Sequence, residues 1–204
     1  MSKLKILILD FGAGNLLSIS NALIFLGYEV SIQKNALNPE KFDALVIPGV
    51  GSFNESMINI KKQNENLKLF SSFKRIIGIC IGMQILFEIG EENEVANGLS
   101  LIPGTVKKIH KEGLKKIKIP NTGWLKLKSI DNKYAEYNGK YFYFNHSFMA
   151  YPKENSIIKS IVNYHDVNVP AIIEHKNIIA TQFHPEKSGE IGLKLLKSLI
   201  EDEL

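Results

Sequence analysis

Residues 5–10 (KILILD) form a short apolar run rich in β-branched side chains, followed by the turn-like Phe11-Gly12-Ala13-Gly14-Asn15. A run this short, bounded by a glycine turn, predicts a strand buried on both faces. Asn15 is placed to cap a helix, and apolar residues at 16, 19, 23 and 26 fall on one helical face. Gly27 stands where a left-handed C-terminal residue is expected. Residues 29–33 and 44–47 (ALVI) predict a second and third strand, the latter ended by Pro48-Gly49-Val50-Gly51. A polar, mostly helical stretch covers 52–74, a fourth strand 76–79 (IIGI), and a further helix 81–89. Strands alternating with helices imply right-handed crossovers and a parallel sheet covered on both faces.

The pattern changes after residue 105. Strand-like segments at 124–127, 141–144, 171–174 and 178–182 are separated by hairpin-like turns such as Asn138-Gly139 and Lys176-Asn177. Residues 188–204 form an amphipathic helix with Ile191, Leu195, Leu196 and Leu199 inward. No repeat, low-complexity tract or linker interrupts the chain. The expected architecture is one α/β domain spanning 1–204, with a mixed, mostly parallel central sheet flanked by helices and additional antiparallel strands in the second half.

Composition narrows the function classes. The 204 residues are 45% hydrophobic and 23% charged, enough for an ordinary core. The single cysteine, Cys80, excludes an intrachain disulfide or a multi-cysteine zinc site. A net charge of +4 with dispersed lysines gives little support to nucleic-acid binding. No apolar run approaches the roughly 18 residues of a membrane span, and the start lacks a cleavable signal pattern. These features predict a cytoplasmic protein with no nucleic-acid and no membrane partner.

Gly78-Ile79-Cys80-Ile81-Gly82-Met83-Gln84 has the G-x-C-x-G pattern of a nucleophile elbow between strand and helix. The glycines two residues either side let the sharp turn close, and a thiol at a helix N-terminus is biased toward thiolate. The competing reading is a small core side chain, common for a free cysteine. Among five histidines, His110 and His165 lie in polar surroundings, and His175 lies beside a probable turn. His146 fits a core strand or a pocket wall equally well. His184 is the best base. It follows a strand, and Glu186, two residues on, leans the same way if the backbone is extended. A carboxylate on Nδ1 fixes the tautomer and leaves Nε2 for the thiol. Pro48-Gly49-Val50-Gly51-Ser52 follows a strand and belongs at the same sheet edge as Cys80, where backbone N–H groups can face an oxyanion. Gly12 and Gly14 lack the third glycine of a dinucleotide fingerprint, position 17 being leucine.

Pro48-Gly49-Val50-Gly51, Gly78–Gln84 and Phe183-His184-Pro185-Glu186-Lys187-Ser188-Gly189 together resemble, in order and spacing, the class I glutamine amidotransferase domain. Residues 10–16 (DFGAGNL), 98–104 (GLSLIPG), 123–124 (GW), 141–147 (YFYFNHS) and 192–196 (GLKLL) are similar to the glutaminase subunits of imidazole glycerol phosphate synthase. The resemblance runs end to end and implies a flavodoxin-like fold. It implies a Cys80-His184-Glu186 triad hydrolysing glutamine through a thioester, with Val50, Gly51 and Ile81 forming the oxyanion hole. Gly49, Gln84, Glu92, Ser147 and Phe148 correspond to substrate-binding positions, and Trp124 and Lys187 to interface positions. The implied partner is a (β/α)₈ barrel synthase in a heterodimer, to which ammonia is channelled, and the resemblance implies no metal or organic cofactor. The length leaves room for the ammonia-producing domain and none for the ammonia-using one.

Two segments depart from the family pattern. Pro120-Asn121-Thr122-Gly123-Trp124-Leu125 replaces P-H-M-G-W-N, and Phe148 stands where tyrosine is common. The first departure leaves open an alternative acceptor, a surface-sugar amidating enzyme fed by a paralogous glutaminase. A non-catalytic flavodoxin-like binding module is the reading from another functional class.

Overall fold

In a computed structural model, residues 3–12, 15–35, 38–64, 67–110 and 117–201 are described. The period-2 pattern of the early strands divides two interiors. β1 (Lys5–Leu9) sends Ile6 and Ile8 into one apolar cluster and Leu7 and Leu9 into the other, all fully buried. β3 (Ala44–Ile47) does the same with Ala44 and Val46 against Leu45 and Ile47. Continuous apolar runs are what a strand covered on both faces requires.

β2 (Glu29–Gln33), β1, β3 and β4 (Ile76–Ile79) run parallel, and β14 (Ile178–Thr181) continues this run beside β4. Among the described residues the central sheet has eight strands in the order β2-β1-β3-β4-β14-β13-β12-β9. β13 (Val167–His175) pairs antiparallel with β14, β12 (Ile158–Tyr164) with β13, and β9 (Lys128–Ser129) with β12. α1 (Leu16–Phe25) and α4 (Gly189–Glu201) contribute Ile19, Leu23, Leu195, Leu196 and Leu199 to one cluster. α2 (Phe53–Gln63), α3 (Ile81–Gln84) and a 3₁₀ segment at Leu67–Ser72 contribute to the other. Asn15 caps α1 by accepting from Ser18 N–H at 3.2 Å, and Gly27 has φ +96°, as its position predicts. Ala13, Gly14 and residues 202–204 lie outside the described residues.

Two expectations are corrected. The helix predicted over 81–89 ends at Gln84, and β5 (Phe87–Glu91) follows as a strand. Short apolar runs carry no clear period, and here β pairing decides. β5 lies between β6 (Val95–Asn97) and β7 (Ile102–Lys108) in a four-stranded sheet completed by β11 (Phe148–Pro152). The Lys176-Asn177 turn joins the β13–β14 hairpin, but Asn138-Gly139 instead closes a 3₁₀ segment, Asn132–Tyr137. β10 (Tyr141–His146) pairs with β8 (Asn121–Lys126) in a separate two-stranded sheet. Ile191 is only partly buried.

Candidate active site

Cys80 sits between β4 and α3 with φ +54° and ψ −108°, a conformation that non-glycine residues adopt only under constraint. The constraint is visible. Its N–H donates to Thr181 O at 2.8 Å, tying the elbow to β14. A Cβ on Gly82 would lie 1.7 Å from Ile47 O, so the helix start and the end of β3 touch backbone to backbone. A Cβ on Gly78 would meet Leu86 Cδ1 at 2.7 Å. The small residues flanking Cys80 are there for close approach. α3 is a single turn, so its dipole contributes less at the thiol than a full helix would.

His184 follows β14, the parallel neighbour of β4, and so comes to the same carboxyl edge as Cys80. Its backbone N–H donates to Tyr143 O at 2.9 Å. Ser188 Oγ donates to His184 O at 2.6 Å and accepts from Tyr143 N–H at 3.0 Å. These bonds fix the imidazole between β10 and the start of α4. Nδ1 lies 2.9 Å from Glu186 Oε1, and the two side chains are 2% and 5% exposed. The contact forms across a 3₁₀ turn, Pro185–Lys187, rather than along the extended backbone predicted. A carboxylate only accepts, so Nδ1 carries the proton. Nε2 is buried and has no hydrogen-bond partner.

Burial works against charge on His184, but the neighbouring Cys80 thiol and then Glu186 more than offset it, pushing the imidazole up to about 9. A raised histidine stabilises the fold fully below its unfolded value near 6.5, and the contribution disappears as pH rises through about 9. Thermal unfolding between pH 6 and 10 should therefore show the wild type more stable than Glu186→Gln at the acid end. The two should converge above pH 9; a constant gap across this range would contradict the assignment.

Cys80 opens into a cavity of about 200 Å³ lined by Val50, Gly51, Ile81, Gln84, Glu92 and the Asn145–Phe148 segment, with Pro120 at the edge. This is below the roughly 300–1,000 Å³ of drug-sized sites and suits a small ligand. Gln84 is 1% exposed and donates Nε2 to Phe148 O and to Gln182 Oε1, both at 3.1 Å. Glu92 Oε2 accepts from Phe53 N–H at 2.6 Å, tying the first turn of α2 to the cavity wall. Val50 is partly exposed, and Gly51 has φ +122° with nothing within 4 Å of where its Cβ would be. That loop has room to turn a peptide N–H. Among the described residues no three His, Cys, Asp or Glu side chains converge to hold a metal.

The structure brings together most of the residues singled out in the sequence. Gly49 is the exception at the cavity. It packs behind the elbow, its Cβ position 2.8 Å from Ile81 Cβ, and is not part of the wall. Trp124 and Lys187 lie outside the cavity. Trp124 is 52% exposed and stacks edge-on against Tyr143, whose ring lies 6.4 Å from that of His184. His110 and His165 are exposed, and His175 is partly buried. His146 is buried yet also lines the cavity, so both of its readings hold. Gln182 was not anticipated. It is fully buried and its Nε2 lies 3.8 Å from Cys80 Sγ. It lies just past the end of β14, and its contact with Cys80 across 102 residues left no local signal. Asn145, whose carbonyl lies 3.8 Å from Cys80 Sγ, carried none.

The sequence model of the glutamine amidotransferase class-I family matches residues 7–200. The chain belongs to this family. Relatives similar to this amidotransferase over nearly the whole length include proteins named imidazole glycerol phosphate synthase subunit HisH. The one from Lactococcus lactis is 41% identical, with 97% of this chain and 98% of the relative covered. The one from Sulfolobus acidocaldarius is 39% identical, with 96% and 97% covered. Among solved structures, PurLQS from Thermotoga maritima covers 97% of the amidotransferase chain and 98% of its own, with a TM-score of 0.69 at 18% identity. A second glutamine amidotransferase structure has a TM-score of 0.72 at 15% identity, with 96% and 97% covered. These structures support the α/β fold.

Proposed function

We propose that this amidotransferase is the glutamine-hydrolysing subunit of an imidazole glycerol phosphate synthase, working in the cytoplasm in histidine biosynthesis. The observation that carries the chemistry is the strained Cys80 beside the unpartnered Nε2 of His184, with Glu186 on Nδ1. The near full-length likeness to subunits of that name carries the pathway.

The Cys80 thiolate attacks the side-chain amide carbon of glutamine, forming the C–S bond while the carbonyl pair moves onto oxygen. Backbone N–H groups of Val50 and Ile81, with the freedom of Gly51, hold that oxyanion. His184, protonated at Nε2, gives the proton to the departing nitrogen, and the C–N bond breaks to release ammonia. Nε2 then takes a proton from water. The resulting hydroxide opens the γ-glutamyl thioester, and glutamate leaves with Cys80 restored. Glu186 stabilises the imidazolium in both half-reactions. Gln84, Glu92 and the backbone at Ser147 and Phe148 hold the amino-acid end, with the Glu92 carboxylate suited to an ammonium group.

Ammonia is mostly ammonium at pH 7 and then a poor nucleophile, so its transfer needs a sealed route. A (β/α)₈ barrel synthase docked over Trp124 and Lys187 in a heterodimer supplies it. Coupling runs through the Pro48–Gly51 loop, whose Val50 N–H turns toward the oxyanion in the loaded complex. The chain spans residues 1–204 as one such domain.

Complementation tests the pathway. A bacterial strain lacking its own subunit should grow on minimal medium without histidine when it expresses this chain. No growth, together with glutamate release only alongside a sugar-amidating partner, would move the acceptor to a surface sugar.

A further inference from the structure

The bond pattern around His146 extends beyond the triad. His146 ends β10 directly opposite Asn121, the first residue of β8. Its Nδ1 lies 2.7 Å from Phe148 O and its Nε2 lies 3.0 Å from Asn121 Nδ2. A carbonyl only accepts, so Nδ1 carries the proton. Nε2 then presents a lone pair, which the Asn121 amide fills by donating. Both residues are buried, at 6% and 1% exposure, so each bond replaces water that cannot enter. The same Phe148 carbonyl accepts from Gln84 Nε2, and Gln84 in turn reaches Gln182 beside Cys80. One continuous chain of bonds therefore runs from β8 through the neutral imidazole to the cavity wall. Asn121 lies outside the cavity and falls within the 120–125 segment where this sequence departs from its family.

We propose that Asn121 and His146 are positioning residues for glutamine: they hold the Phe148 carbonyl, and through it Gln84, in the orientation that receives the substrate's amino-acid end. The Phe148 carbonyl fixes the tautomer, Asn121 anchors the ring by donating to Nε2, and neither Asn121 nor His146 enters the reaction. Burial also pushes the His146 imidazole down to about 4, and the charge on His184 adds to this, so it stays neutral through the working range. The proposal rests on the glutaminase reading, and two readouts keep the failures of the two apart.

The first readout needs no activity. Nitrogen-15 spectra of histidine-labelled full-length protein at pH 7 should show His146 neutral and protonated at Nδ1. Asn121→Leu, which removes the donor at similar size, should leave Nδ1 protonated but shift the Nε2 resonance downfield as its acceptor bond is lost; an unmoved Nε2 resonance overturns the Asn121 link. A charged His146, or one protonated at Nε2 in the wild type, overturns the proposal whether or not the enzyme is active. The second readout is kinetic, in complex with the barrel synthase. Glutamine's side chain reaches where Nε2 was and misses Phe148 O, whereas asparagine's amide occupies the place of Nδ1. His146→Gln should raise KM for glutamine about tenfold with kcat changed less than about threefold, and His146→Asn should restore most of that loss. Equal effects of the two amides, or a loss confined to kcat, overturn it, because a packing role does not distinguish them.

Discussion

Cys80→Ala should lower glutamine-dependent glutamate release in the synthase complex by at least about 10⁴-fold, the scale seen when a covalent nucleophile is removed. Alanine keeps the Cβ and so keeps the elbow. The hydrogen bond from residue 80 N–H to Thr181 O is a backbone contact and survives. Gln84 retains its bonds to Phe148 and Gln182, so the cavity wall stays in place. What disappears is the only atom able to form the thioester. Synthase turnover driven by added ammonium salt should persist in the same complex, because the variant lacks only the means to make ammonia. Retention of full glutamine-dependent activity would show that the triad assignment is wrong.

The second large effect falls on stability. Gly82→Ala places a Cβ 1.7 Å from Ile47 O and 2.6 Å from the same carbonyl's carbon. The obstacle is backbone in a central strand, so no rotamer relieves it. Either β3 or α3 must move, and α3 carries the elbow. The expected destabilisation is about 3 kcal/mol or more, at the upper end for overpacking. Urea unfolding of the two proteins measures it directly. A variant within about 0.5 kcal/mol of wild type would mean that β3 and the elbow are not in backbone contact. Gly78→Ala should fall between the two, since its Cβ would meet the end of the Leu86 side chain at 2.7 Å but backbone, Gly82 O and Met83 Cα, no closer than 2.9 Å.

β1, β3 and β4 were readable because each is a short, nearly continuous apolar run ending at a turn. Asn15 and Gly27 mark the ends of α1 by local chemistry alone. The stretch after the elbow was not readable in this way. Ile85, Leu86 and Phe87 are all fully buried, and a run buried on every side has no period to separate helix from strand. Only the pairing of β5 with β7, 15 or so residues on, decides it. The grouping of Cys80, His184 and Glu186 was legible because these residues sit in short motifs. The second layer was less so. Gln182 and Asn145 stand 3.8 Å from the thiol across 102 and 65 residues of chain, and Asn121 meets His146 across 25 residues. Such contacts leave no local trace. The glycine at position 49 has a packing reason that its motif did not reveal, since a Cβ there would lie 2.8 Å from Ile81 Cβ.

The central claim is that Cys80 becomes a γ-glutamyl thioester when the synthase is docked. A diazoketone analogue of glutamine, incubated with the wild-type complex and followed by peptide mass spectrometry, tests it most directly. The account predicts one covalent adduct, on Cys80, formed faster with the barrel synthase present than without it and absent from His184→Ala. No adduct on Cys80 in an assembled complex, or an adduct on another residue with Cys80 untouched, would contradict it.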